Sequence, residues 1–165
     1  MPLTLDTATP KDAAGLAALH AAVAERLTLD FGPGHWSSAP SERGVLSGMK
    51  RSTVYVARRR NRLVATVALS TRKPWAIDKS YFSPAARPLY LTSMAIDPKL
   101  QRQGIGRRCM AEARRAAKRW PADAIRLDAY DSPAGAGGFY AKCGFQEVGR
   151  VRYRGNPLVY YEMPL

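Results

Sequence analysis

Soft metal ligands are scarce in this sequence. Two cysteines, Cys109 and Cys143, and two histidines, His20 and His35, are all that 165 residues offer. Neither histidine stands at metal-site spacing from a cysteine, so no bound metal is expected. Both cysteines fall in segments of helical pattern, where an unpaired cysteine reads as a small buried hydrophobe in a reducing compartment. The expected location is therefore cytoplasmic. Long apolar runs are also missing. None approaches the roughly 20 residues of a membrane span. The opening Met1-Pro2-Leu3-Thr4 lacks a basic stretch followed by an apolar one, so no signal peptide is expected. No repeat, low-complexity tract or linker interrupts the chain, and a single domain over residues 1–165 is expected.

Negative charge is the other shortage. Thirteen Asp and Glu stand against 26 Lys and Arg, a net charge of +13. Three readings compete. The charge serves phosphates of nucleic acid or a ribosome, or an anionic cofactor or acidic substrate, or it reflects an Arg- and Ala-rich composition with no specific partner. Non-specific adhesion to nucleic acid at low salt is expected under all three, so it discriminates nothing by itself. Hydrophobic residues at 46% and charged residues at 24% are an ordinary globular mix.

The common phosphate-loop signatures are absent as well. There is no G-x-x-x-x-G-K-[ST], and the third position of a G-x-G-x-x-G pattern is Cys109. What stands there instead organises the chain. Tyr90 to Ile96 reads as an apolar strand that Asp97-Pro98 stops, because proline lacks the N–H a ladder needs. A basic loop with two glycines, Gln101 to Gly106, leads into a helix with Ile105, Cys109, Ala113, Ala116, Ala117 and Trp120 on one face. Strand, glycine turn and helix start offer bare backbone N–H groups and a positive dipole end to a phosphate. Arg102, Arg107 and Arg108 add full charges.

Gln101, Gly104 and Gly106 form Q-x-x-G-x-G directly after the strand end Met94-Ala95-Ile96. Behind it, after a further strand pattern at Ala124 to Tyr130, stands Phe139-Tyr140-Ala141-Lys142-Cys143-Gly144-Phe145. These two motifs, in this order, resemble the coenzyme A-binding signatures of the GNAT acetyltransferase superfamily. The resemblance runs from about Leu3 to Met163 and is strongest from Leu91 to Phe145. It implies an α/β fold (an α+β mixed sheet). The sheet of that fold is mostly antiparallel, splayed between its fourth and fifth strands and flanked by helices on both faces. Those strands are here Leu89 to Ile96 and Ala124 to Tyr130.

The rest of the chain is consistent with that fold. Leu3-Thr4-Leu5 is expected as a first strand. Thr9, Pro10 and Asp12 predict a capped helix start, followed by Leu16, Leu19, Val23 and Leu27 at helical spacing, with His20 at the core edge. Asp30 to Pro40 is a loop around Gly32-Pro33-Gly34, and Ser41 caps a helix to Lys50. Thr53–Ala57 and Leu63–Ser70 read as a hairpin with a basic tip. Thr71 to Pro88 is a long aromatic-bearing loop, of a length uncommon in a compact domain unless it binds something. A helix from about Pro133 to Cys143 ends at Gly144. A closing hairpin, Phe145–Tyr153 and Leu158–Met163, turns at Arg154–Pro157.

By the same resemblance the backbone of Met94, Ala95 and Ile96 takes the pantetheine arm of acetyl-CoA. The amides of Arg102, Gln103, Gly104, Ile105, Gly106 and Arg107 take its diphosphate. Phe139, Tyr140 and Lys142 belong to the cofactor helix. Asp131 stands where relatives often have Asn, and an acid there is a less welcome neighbour for the cofactor. Tyr140 stands where the family puts the general acid for the leaving thiolate. Phe31, Trp36 and Glu42, with Trp75 and Tyr81 of the long loop, are the expected acceptor contacts. Many relatives carry a basic Glu on the fourth strand, and this chain has Thr92-Ser93. A water chain, Glu25, Glu42, Asp78 or Asp128 remain as substitutes. The expected activity is direct acetyl transfer from acetyl-CoA to a small-molecule or protein amine. The basic surface disfavours polycationic acceptors. A different acyl-CoA and a nucleic-acid- or ribosome-binding module on the same fold are the rivals. The exposed edge after Tyr153 suits a second copy of the chain, as in a homodimer.

Overall fold

The computed structural model describes residues 3–165, with the sheet order β1-β2-β3-β4-β5-β7-β6. In chain order the elements are β1 (Asp6–Thr7), α1 (Ala13–Phe31), α2 (Glu42–Met49), β2 (Thr53–Arg59), β3 (Arg62–Ser70), β4 (Pro88–Ile96), α3 (Ile105–Arg119), β5 (Ala124–Tyr130), α4 (Gly137–Lys142), β6 (Gln146–Tyr153) and β7 (Asn156–Pro164). The expected first strand is displaced. Leu3 and Leu5 pack as side chains against the core of Ala57, Val64 and Ile105, and the pairing with β2 begins only at Asp6 and Thr7.

The backbone forms two compact units, residues 1–69 with 92–113 and residues 70–91 with 114–165. In the first, Thr9 and Asp12 make the expected capping box, with the Thr9 N–H donating to Asp12 Oδ2 at 2.8 Å. One 3-10 turn follows before α1 begins. Ala13 and Leu16 of α1 and Val45 of α2 pack on Val56 of β2. The alternate face of β2, through Ala57, meets Ile105 and Cys109 of α3. Period-2 alternation thus gives β2 one helix layer on each side. Arg60 and Asn61, both at positive φ, close the β2–β3 hairpin as a two-residue turn. The basic tip is therefore shorter than the five-residue one the sequence suggests, because such turns match strand twist.

In the second unit β4 and β5 run parallel, pairing Pro88, Leu89 and Tyr90 with Ala124, Ile125 and Arg126, where the register ends. β5 pairs with β7 along its whole length, and β7 with β6. Arg154 and Gly155 make a second two-residue turn, and Pro157 falls inside β7 rather than in the turn. The register decides which side chains share a face. Arg126, Asp128 and Tyr130 stand opposite Glu162, Tyr160 and Leu158, with Val151 beyond. The loop between β3 and β4 lies on this face: Ile77 and Phe82 pack with Tyr90 and Tyr160. Gly149 of β6 leaves room for it, since a Cβ there would come within 2.3 Å of the Tyr81 ring. The other face carries Tyr161, whose ring lies 6.2 Å from that of Tyr140 on α4.

One buried ion pair fastens that loop. Arg126 Nε donates to Glu162 Oε2 at 3.0 Å, with both side chains about 95% buried. Its other nitrogens reach Tyr90 Oη at 3.3 Å and the Ser83 carbonyl at 2.6 Å, while the Ser83 N–H donates to Glu162 Oε1 at 3.2 Å. A charge so deep is tolerable only with its hydrogen bonds complete.

Candidate active site

The glycine loop after β4 belongs to the first unit. β4 is broken in its pleat at Ser93, a non-glycine residue at φ +54°. Left-handed backbone costs such a residue about 1–2 kcal/mol, so the break at Ser93 is held by its surroundings. Past it, Met94 and Ile96 are half-buried and Ala95 is buried. The loop that follows is held by side chains that bond to its backbone. Asp97 caps it through the Lys99 N–H at 3.0 Å, and Gln101 Nε2 reaches back to the Ile96 carbonyl at 3.3 Å. Gln103 Nε2 does the same to Lys99 at 3.4 Å. The two glutamine side chains therefore brace the loop, and the backbone of Arg102 (φ +62°) and Gly104 (φ +80°) turns it outward. A Cβ on Gly104 would meet nothing within 4 Å, so the turn faces open space.

α3 starts at Ile105, which anchors in the core, and its first turn holds no acidic residue. The first N–H groups of a helix have no partner inside it. Open glycine backbone, unpaired helix-start amides and the exposed Arg102 and Arg107 fit a diphosphate. A 780 Å³ cavity of this unit lies elsewhere, between α1 and the β2–β3 hairpin. Two of its cations, Arg58 and Arg62, are engaged by Asp12 and Asp97. Phe31, Trp36 and Glu42 also belong to this unit. Trp36 donates Nε1–H to the Gly32 carbonyl at 2.9 Å, which pins its own turn, and Phe31 is exposed. His20 is kept neutral by burial, which lowers its pKa.

The second unit holds the titratable groups. Tyr140 on α4 is 8% exposed, and its ring packs edge-on to Phe139 at 5.3 Å and Phe145 at 5.7 Å. Burial, and then the charge of Asp128, push its phenol pKa far up. Asp128 itself is raised by burial, offset only in part by a hydrogen bond from its own backbone N–H. Among the described residues it has no ion-pair partner. A 340 Å³ pocket lies at this carboxyl, lined also by Ala76, Tyr130, Tyr153, Asn156 and Leu158. Trp75, Asp78 and Tyr81 line a neighbouring 400 Å³ depression that shares Ala76 and Tyr153 with it.

Of the candidate bases, Asp128 is the carboxylate in a pocket with a raised pKa. Asp78 is held down by hydrogen bonds from Ser80 and caps a 3-10 turn. Asp131 faces Arg150 at 3.4 Å, which neutralises the acid that made this position doubtful. Lys142 ends α4. Tyr130, Tyr153 and Asn156 line the pocket with Asp128, and sequence reasoning missed them. Their signal is the period of two, and it becomes readable only once the strand register is known.

A family model described as "Acetyltransferase (GNAT) domain" matches residues 50–147, more than half of the chain. Solved structures share the fold. The ribosomal-protein-S18-alanine N-acetyltransferase of Escherichia coli superposes at TM-score 0.73 with 16% identity, over 98% of this chain and 93% of that one. A ribosomal-protein-alanine N-acetyltransferase from Brucella melitensis gives 0.72 and 18%, over 99% and 100%. A Bacillus subtilis acetyltransferase solved in complex with CoA gives 0.66 and 19%, over 99% of both chains. No curated protein sequence matches significantly.

Proposed function

The chain belongs to the GNAT acetyltransferase family, and from that premise we propose that it is an N-acetyltransferase acting on a primary amine by direct attack. The observation that carries this reading is Asp128: a half-buried carboxylate of raised pKa in the lining of a pocket, with no ion-pair partner among the described residues, on the strand that leads to the Tyr140 helix.

Acetyl-CoA supplies an acetyl group activated as a thioester. The amides from Arg102 to Arg107 hold its diphosphate, and the backbone of Met94, Ala95 and Ile96 offers hydrogen bonds to the pantetheine arm. Asp128 accepts the proton that the acceptor ammonium must lose before it attacks. An alkyl ammonium has a pKa near 10.4 and an α-amino group one near 7.7–8.0. A carboxylate raised above its usual range narrows either gap. As the new C–N bond forms and the C–S bond breaks, Tyr140 stabilises the departing sulfur. A thiolate whose conjugate acid has a pKa near 8.5 cannot strip a phenol raised above its ordinary value of 10. Tyr140 therefore serves as a hydrogen-bond donor, and solvent protonates the product thiol. Phe139 and Phe145 pack against its ring and fix its place.

The pocket beside Asp128 admits a slender amine, flanked by two tyrosine rings and the Asn156 amide. Small-molecule amines and protein α-amines both remain in the acceptor class. The test is calorimetry with acetyl-CoA together with thiol release against a panel of alkyl amines, aryl amines and Ala-initiated peptides. Binding is expected, with release by at least one member. Asp128→Asn should keep the binding and lose the release. Neither binding nor release would overturn the reading.

A further inference from the structure

β4 and β5 start at the same end because they are parallel, and Asp128 and Tyr130 lie toward the other. At the starting end a separate 510 Å³ cavity opens beside Pro88 and Leu89. Lys73, Lys79, Arg87, Arg126, Tyr90 and Trp120 contribute to its wall, and no carboxylate lines it. Arg126 is spent on Glu162, and the Lys73 ammonium is held by the carbonyls of Pro74 and Ile77 at 3.0 and 2.6 Å. Lys79 and Arg87 have no side-chain partner among the described residues, so their charges remain available.

Trp120 departs from its expected place on the apolar stripe of α3. The helix ends at Arg119, and Trp120 sits in the turn beyond it, 39% exposed. The helix leading there exposes Arg114, Arg115, Lys118 and Arg119. The helix dipole accounts for Lys118 and Arg119 in the last turn. It does not account for Arg114, which places a like charge at i,i+4 to Lys118, at a cost to the helix. A polyanion along this face would offset that cost. The i,i+4 repeat of about 6 Å is on the scale of successive phosphates in a strand. A lipid surface fits less well, because the large apolar residues of α3, Ile105 and Met110, are buried and only Trp120 is presented.

We infer that this end of the molecule is a second ligand site, for nucleotide chemistry: a base stacked on Trp120, with phosphate on Lys79 and Arg87. A longer strand continues along Arg114, Arg115, Lys118 and Arg119. Stacking on an exposed aromatic beside a basic track is how single strands are held without sequence preference. The site does not depend on the acetyl-transfer reading and lies away from its residues on β5 and α4.

The test uses the full chain with saturating CoA, so that the glycine loop is filled, at 150 mM NaCl. The probes are a fluorescein-labelled 12-mer of uridine by anisotropy and ATP by calorimetry. Trp120→Ala should weaken binding about tenfold, while Trp120→Phe keeps it within about threefold, which separates lost stacking from lost folding. Lys79→Glu with Arg87→Glu should weaken both probes about tenfold or more. Arg114→Glu with Lys118→Glu should weaken only the 12-mer and reduce its salt slope by about 1.4. Arg59→Glu with Arg60→Glu, at the hairpin tip, is the charge-matched control and should change either affinity less than about twofold. A 12-mer bound about 100-fold tighter than ATP identifies a strand as the natural source, and equal binding identifies a free nucleotide. The inference is overturned if neither probe binds, if Trp120→Ala binds as the parent does, or if the hairpin control loses as much as the cavity variant. It is also overturned if vesicles of anionic phospholipid bind as well as the 12-mer and displace it.

Discussion

Asp128 is an acid whose folded environment disfavours its charge, and that has two consequences of opposite sign. Burial raises its pKa above the unfolded value, so the folded state holds the proton more tightly. Stability therefore falls as pH rises from the ordinary carboxylate range through the folded pKa, and the cost persists at neutral pH. Asp128→Asn removes that cost. The variant should melt higher than the parent at pH 7 and equal to it below pH 3, by calorimetric scans, while acetyl transfer falls by about 100-fold or more as the proton acceptor is lost. In the parent, the rate should rise with pH through an inflection above the usual carboxylate range. A variant that melts lower at pH 7 would mean that the carboxylate is structurally paired.

Tyr140 makes the complementary case. With its phenol pushed up by burial, it stays protonated through pH 10, so the pH–rate profile should lack an alkaline limb from this group. Tyr140→Phe keeps the ring packing with Phe139 and Phe145 and removes only the hydroxyl. It should lower kcat about 10- to 100-fold with little change in acetyl-CoA affinity, measured by steady-state thiol release and calorimetry. Cys109 offers a control in the same molecule. Burial raises its pKa to about 11, so it should resist thiol reagents at pH 8 under native conditions.

Among the elements, the loop between β3 and β4 depends on one ion pair. Arg126→Ala would strand the Glu162 carboxylate in the core and cost about 3–5 kcal/mol, whereas Arg126→Met with Glu162→Met should recover most of it. Urea unfolding of the single and double variants decides between a pair that stabilises the loop and one that merely fills space. This dependence was not legible in the sequence, since Arg126 and Glu162 are 36 residues apart and each sits in an alternating strand pattern. The local chemistry was legible. The Thr9–Asp12 capping box, the Ser41 cap on α2, the bounds of β5 and the left-handed Gly144 after α4 follow from spacing and turn residues alone. Misjudged ends have local causes. Pro157 suggested a turn, but two residues at positive φ close the hairpin first and leave the proline at the second position of β7. At the site, the Q-x-x-G-x-G loop and Tyr140 were legible as motifs, whereas Asp128 stood among several acids until the register put it in a pocket with Tyr130, Tyr153 and Asn156.

At the scale of the whole molecule the excess of positive charge sets both stability and anion preference. A net charge of +13 on 165 residues repels itself. Raising NaCl from 10 to 150 mM screens that repulsion and should raise the melting temperature by a few degrees, at about 2–4 °C per kcal/mol for a chain of this size. Phosphate at matched ionic strength does more only if it binds the folded state, because a ligand for the native form adds stability in proportion to its occupancy. The open turn at Gly104 is where such an anion is expected to sit. Gly104→Ala should therefore lower the melting temperature in NaCl, since a side chain at φ +80° costs about 1–2 kcal/mol. It should also abolish most of the extra increment that phosphate gives the parent. Charge screening and anion binding are thereby separated by one substitution. If the phosphate increment survives in Gly104→Ala, the bound anion lies on another basic surface and the glycine turn is not the phosphate cradle.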